Sequence, residues 1–206
     1  MEDLRYLHPP AQLPAIEARK TELQFSMAST PLVGTMLRTL AASKPGGRFL
    51  ELGTGTGVAT AWILDGMDAQ STLISVDNDQ AVQQVARECL GADDRLTLEL
   101  CGGVAFLQCQ SAESFDFVFA DAMPGKYEGL DEALAVVSVG GFYVIDDMLP
   151  QPNWPEGHAD KVPVLIEKLA ANSSFDILPL IWASGVVVAV RRQSEKPSQP
   201  VELRLL

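Results

Sequence analysis

The sequence predicts an α/β fold: one doubly wound, Rossmann-type sheet of about seven strands, with helices on both faces and the last strand antiparallel. Three observations carry this. Short apolar runs alternate with helix-competent stretches through the middle of the chain. A glycine turn, Gly53-Thr54-Gly55-Thr56-Gly57, joins the first such run to a helix start. The chain then ends on two β-rich runs around a tight turn.

Residues 1–14 are punctuated by Pro9, Pro10 and Pro14 and read as surface chain. A helix is expected over 15–27 and a second over 31–42, with Pro31 suited to a first helical turn. Lys44-Pro45-Gly46-Gly47 turns the chain into the first strand. Strand-like runs follow at 48–53, 72–77, 95–100, 115–120 and 140–146, separated by helical stretches at 57–66, 79–90, 103–110 and 127–138. This alternation imposes parallel pairing and right-handed crossovers. Phe115 to Ala120 is apolar enough for a central strand, and Gly140-Gly141 reads as the stop of the helix before the fifth. A long polar loop follows over 148–160. Phe175 to Trp182 and Val186 to Val190, joined by Ala183-Ser184-Gly185, form a hairpin, which reverses the last strand. After Arg192 the composition is that of a tail. The organisation expected is an N-terminal helical segment 1–43, a main domain 44–192 and a tail 193–206. The first of these is read as a cover over the site and a candidate homodimer contact.

A chain of 206 residues, 47% of them hydrophobic, fits one domain with a large core. The net charge of −12 and the absence of a basic cluster disfavour a nucleic-acid backbone as partner. Cys89, Cys101 and Cys109 form no CxxC pair, which fits a reducing, cytoplasmic setting. No run is read as a signal peptide or a membrane span.

The glycine turn lets a backbone approach a nucleotide-like ligand, and Asp77, twenty residues past Gly57, ends an apolar run where an acid can accept both ribose hydroxyl protons. Together they point to a cofactor containing adenosine. A dinucleotide fingerprint wants glycine at its sixth position, and Val58 stands there instead. Glu51, two residues before the first glycine, suits a cationic ligand better than a pyrophosphate. S-adenosylmethionine, with its sulfonium and ammonium, fits both facts. An NAD(P)-dependent dehydrogenase, or a non-catalytic cofactor-binding subunit, remains the alternative.

From about Met27 to Arg191 the sequence resembles small class I O-methyltransferases of the catechol and caffeoyl-CoA type. The resemblance lies in Glu51-Leu52-Gly53-Thr54-Gly55-Thr56-Gly57, in Val76-Asp77, in Phe117-Val118-Phe119-Ala120-Asp121-Ala122, and in Gly140 through Asp147. It implies methyl transfer from S-adenosylmethionine to a small-molecule oxygen. The cofactor residues it implies, together with the turn and its acid, are Met27, Ala28, Ser29, Glu51, Gly53, Thr54, Gly55, Gly57, Asp77, Asn78, Asp121, and, near the adenine, Gly102, Gly103 and Val104. It further implies a divalent cation, Mg²⁺ foremost, held by Asp121, Asp146 and Asp147, the last standing where the family usually has asparagine. The family's catalytic lysine is expected three residues after the first of these aspartates. Pro124 is there, and Lys126 lies two residues on. Asp121, Lys126 and His158 are the catalytic candidates, the histidine sitting in the 148–160 loop with Trp154.

Overall fold

The computed structural model describes residues 5, 7–154 and 156–193. Two helices, α1 (Leu13–Glu22) and α2 (Pro31–Ala42), precede the alternating part: β1 (Arg48–Leu52), α3 (Val58–Gly66), β2 (Thr72–Asp77), α4 (Gln80–Leu90), β3 (Leu96–Leu100), α5 (Gly103–Gln108) and β4 (Phe115–Ala120). A kinked turn, α6 (Met123–Lys126), and a two-residue strand, β5 (Tyr127–Glu128), lead to α7 (Leu130–Ala135), β6 (Val137–Ile145) and α8 (His158–Ala171). The hairpin β7 (Phe175–Leu180) and β8 (Val186–Arg191) closes the sheet.

The seven-stranded order is β3-β2-β1-β4-β6-β8-β7, and only β8 runs antiparallel to its neighbours. Strand direction therefore follows the alternation seen in the sequence. The order reverses between β1 and β4, so the crevice for a ligand opens above their carboxyl ends.

Period-two alternation sends the strands' side chains into two cores. Phe49, Leu73, Phe117, Phe119 and Val144 meet α2 and α3 through Val33, Leu37, Trp62 and Ile63. Leu50, Leu52, Val118, Tyr143 and Ile145 meet α5, α7 and α8 through Leu107, Leu134, Leu165 and Leu169. Where α2 crosses α3 the fit is tight: a methyl added at Gly34 would lie 2.3 Å from Cδ1 of the fully buried Trp62. Gly34→Ala gains about 1 kcal/mol of helix propensity. Pushing a methyl into a packed indole costs about 1–3 kcal/mol. The clash is expected to win and lower the thermal midpoint by a few degrees; a raised midpoint would show that Trp62 yields.

Several expected boundaries move. The first helix ends at Glu22 instead of Met27: Gln24 takes φ 53°, its N–H bonding Thr21 O at 3.1 Å and that of Phe25 bonding Lys20 O at 3.1 Å. This is a Schellman closure without the usual glycine. Gly140 and Gly141 lie inside β6 and do not stop a helix; Gly140, at φ 75°, sits where the ladder to β4 jumps from Phe115↔Val137 to Phe117↔Phe142. His158 opens α8 and so leaves the loop it was read in, Pro163 having disguised the spacing of Val162, Leu165 and Leu169. The expected tail lies outside the described residues except for Gln193, as do Met1–Leu4 of the expected N-terminal segment. Among the described residues no helix is long and apolar enough to cross a membrane.

Candidate functional site

At the carboxyl end of β1 the backbone turns under the site. Gly53 N–H bonds Val76 O at 2.9 Å, and its φ of 104° with Asp121 O 3.0 Å from a would-be Cβ leaves glycine as the residue that fits. Gly57, at φ 90°, is required for a different reason: its would-be Cβ meets Ala86 of α4 at 2.8 Å. That glycine serves helix packing and does not line the cavity.

The cavity above the turn, about 320 Å³, is lined by Met27, Ala28, Ser29, Gly53, Thr54, Gly55, Asp77, Asn78 and Asp121 among others. A second hollow of about 240 Å³ carries Gly102, Gly103 and Val104 and shares Gly53, Asp77 and Asn78 with the first. Thirteen of the fourteen residues named from sequence for the cofactor thus divide as nine on the first wall, three on the second and Gly57 in the packing behind. Asp77 stands at the junction. One of its oxygens accepts Gly55 N–H at 2.8 Å and the other Asp79 N–H at 2.9 Å, so the acid also fixes the loop.

Glu51, the fourteenth, does not reach the cavity. It is fully buried on the α3 side of β1, its Oε2 accepting the hydroxyls of Thr60 and Ser75, while Oε1 has no partner. Burial raises its pKa to about 8, against the lowering effect of those hydroxyls. A neutral buried acid cannot serve as the counter-charge expected of it. Its Ser75 partner bonds Thr54 at 2.7 Å, tying it to the loop's underside. Sequence reasoning missed Phe25, whose ring lies 3.2 Å from a would-be Cβ on Gly55. The early end of α1 frees Phe25 to cover the turn.

Past β4, Asp121 is the hub. One oxygen accepts Ser29 Oγ–H at 2.9 Å, and the other meets Lys126 Nζ at 3.2 Å. That ammonium also donates to Asp146 O at 2.8 Å, and it is almost fully buried, the side chain 5% exposed. Asp146 turns its carboxylate to Ser184 Oγ and to Asp147 N–H, and Asp147, at φ 61°, begins the loop after β6. Burial first, then the charge of Asp121, raises the pKa values of both Asp146 and Asp147.

These residues do not fit the expected cation. Among the described residues no three acidic, histidine or cysteine side chains are grouped to hold a metal. A lysine ammonium already bonds Asp121 Oδ1 and the Asp146 carbonyl, and Oδ1 of Asp146 accepts from Ser184. The triad read from sequence is therefore corrected to an aspartate–lysine pair with two flanking acids.

His158 stands apart from that pair. Its Nε2 is 3.2 Å from Tyr127 Oη, its ring lies 4.4 Å from Trp154, and neither cofactor hollow is lined by it. Burial first, then the charges of Lys126 and Lys161, lowers its pKa. The loop after β6 latches to the N-terminal segment through Asn153 Nδ2–H to Ser26 O at 3.3 Å. Between them lies a narrow space of about 60 Å³ lined by Met27, Ser29, Asp146, Asp147 and Ser184.

Residues 50–148 match the model of a family described as a methyltransferase domain. A Mycolicibacterium smegmatis protein named as a candidate O-methyltransferase is 32% identical over 123 residues, 57% of this chain and 59% of that protein. The chain thus spans about three-fifths of the curated relatives' length. The chain also superposes on an O-methyltransferase from Bacillus cereus in complex with SAH, TM-score 0.80 at 19% identity, covering 91% of this chain and 94% of that one. TomG, an O-methyltransferase of Streptomyces achromogenes involved in tomaymycin synthesis and crystallised with SAM, gives 0.76 at 20% identity, covering 91% and 92%. These likenesses establish the fold.

Proposed function

We propose that the chain binds S-adenosylmethionine and transfers its methyl group to an oxygen of a small molecule. The observation that carries this is Asp77 at the junction of two hollows, bonded to the glycine turn beneath them. A ribose placed there would set the adenine toward Gly102–Val104 and the methionine part along Gly53–Gly55 beneath Met27–Ser29. The O-methyltransferase names of the relatives, and SAM or SAH in the two structures, support the same reading.

The sulfonium is an activated donor, so the protein's task is to align acceptor, methyl carbon and leaving sulfur. Asp121 lines the cofactor cavity and bonds Ser29, which lines the narrow space, and the Lys126 ammonium stands 3.2 Å behind that carboxylate; this supports an acceptor hydroxyl arriving at Asp121. A divalent cation, the other element implied by the resemblance, has no step in this reading, given the bonds Lys126 already makes. Calorimetry tests the reading: binding of S-adenosylmethionine or its demethylated product is expected, and binding of NAD alone would replace it with a dehydrogenase.

The loop after β6 is read as the acceptor's cover. Removing its tip around Asn153 and Trp154 is expected to raise the acceptor's KM about tenfold or more while cofactor affinity stays within a few-fold. Loss of cofactor binding in a folded, shortened protein would assign the loop to the other side of the site.

A further inference from the structure

We infer that the Lys126 ammonium takes the place of a divalent cation in this site, so that methyl transfer here needs no metal ion and Lys126 itself holds the acceptor oxygen. The inference rests on the methyl-transfer reading and adds the identity of the charge that serves it.

The position of Lys126 is built by the fold and is not the resting place of a surface side chain. Pro124 (ψ 135°) and Gly125 (φ 87°) break α6, and the Lys126 side chain that follows is buried. Tyr143, fully buried on β6, donates its hydroxyl to Gly125 O and pins this kink. A side chain at Gly125 would strike Leu52 Cδ1 at 2.6 Å, which closes the alternative path.

An ammonium has three donors. Two are used, on Asp121 Oδ1 at 3.2 Å and on Asp146 O at 2.8 Å, and the third is assigned to an incoming oxygen beside Asp121, which lines the cofactor cavity. A divalent cation would need the same oxygen-rich face at about 2.0–2.6 Å from its ligands and would confront the buried ammonium across Asp121. One oxygen of Asp146, Oδ1, is already taken by both Ser184 and the Asp147 N–H. In the reaction the acceptor's O–H bond breaks and its proton passes to the Asp121 carboxylate. The developing alkoxide is held by Nζ–H of Lys126, the O–CH₃ bond forms as the S–CH₃ bond breaks, and the cofactor leaves as a neutral thioether. No other reactant is needed.

The test is Mn²⁺ binding to the full chain, read by the loss of the free-ion electron paramagnetic resonance signal. No saturable site is expected at Mn²⁺ concentrations of about 1 mM or below, a limit that spans the affinities of oxygen-ligand calcium sites. Stoichiometric binding that Asp121→Asn abolishes would overturn the inference. With an acceptor found by screening extracts, turnover is expected to survive excess chelator. Lys126→Ala is expected to lose about a hundredfold or more in kcat, as for removal of one donor to a developing anion, while still binding S-adenosylmethionine within a few-fold. Added methylammonium should restore part of the loss. Turnover abolished by the chelator, or unaffected in Lys126→Ala, would refute it. Absence of S-adenosylmethionine binding to the wild-type chain would instead refute the underlying reading.

Discussion

Asp77→Ala is expected to weaken S-adenosylmethionine binding by about a hundredfold or more, since each charge-assisted hydrogen bond contributes about 1.5–3 kcal/mol and 1.4 kcal/mol is a factor of ten. Two kinds of loss combine. The ribose hydroxyls lose their acceptor, and the loop loses its tie, because the carboxylate also receives Gly55 N–H at 2.8 Å and Asp79 N–H at 2.9 Å. The Gly53–Gly55 segment, with φ of 104° and 52°, then has less to hold it in a cavity-lining shape. Asp77→Asn keeps one carbonyl acceptor and is expected to fall between, at about tenfold. Calorimetry on both variants, with circular dichroism to confirm the fold, gives the comparison. If Asp77→Ala binds within threefold of wild type, the ribose does not lie at the junction of the two hollows.

The strands were legible because each is a short apolar run bounded by turn residues, and β2 and β4 occupy the very residues expected, 72–77 and 115–120. The helices were less so where the usual punctuation misleads. No glycine marks the end of α1, since Gln24 adopts the left-handed conformation itself. Pro163 suggests a break that does not occur: α8 runs through it at its sixth residue and forgoes the bond to the Ala159 carbonyl. Gly140-Gly141 looks like a helix stop and is an irregularity in β6.

The cofactor walls were legible where motif and backbone coincide: the turn, Asp77 and the Gly102–Val104 segment all border the hollows. Glu51 was not, because a strand residue's direction depends on parity and on what packs against it, and here α3 brings Thr60 onto it. Lys126 depended on a kink at Pro124-Gly125 whose direction is set by Tyr143, eighteen residues away in sequence. A lysine's side chain can fill the position of a cation, and residue spacing alone does not distinguish the two.

Glu51→Gln is expected to remove a pH dependence of stability that the wild-type chain carries between pH 6 and pH 8. Burial raises the folded-state pKa of Glu51 from 4.5 to about 8. The folded chain therefore keeps a proton that the unfolded chain releases, and stability is full below the unfolded value and falls as pH rises toward the folded one. Each pH unit within that window is worth about 1.4 kcal/mol, so Glu51 should account for about 2–3 kcal/mol of the wild type's loss from pH 6 to pH 8. For a chain of this size that is a fall in thermal midpoint of roughly 5–10 °C. Glutamine keeps a carbonyl oxygen for the hydroxyls of Thr60 and Ser75 and carries no ionisable proton. Its amide N–H groups would stand where Oε1 now has no partner, which costs about 1–3 kcal/mol and lowers the variant's curve at low pH. The two curves should thus approach or cross as pH rises, the wild type descending the more steeply. Thermal unfolding followed across that range gives both slopes. Parallel curves would mean that Glu51 is already ionised in the folded chain at pH 6, with water or a cation reaching Oε1 beneath the glycine turn.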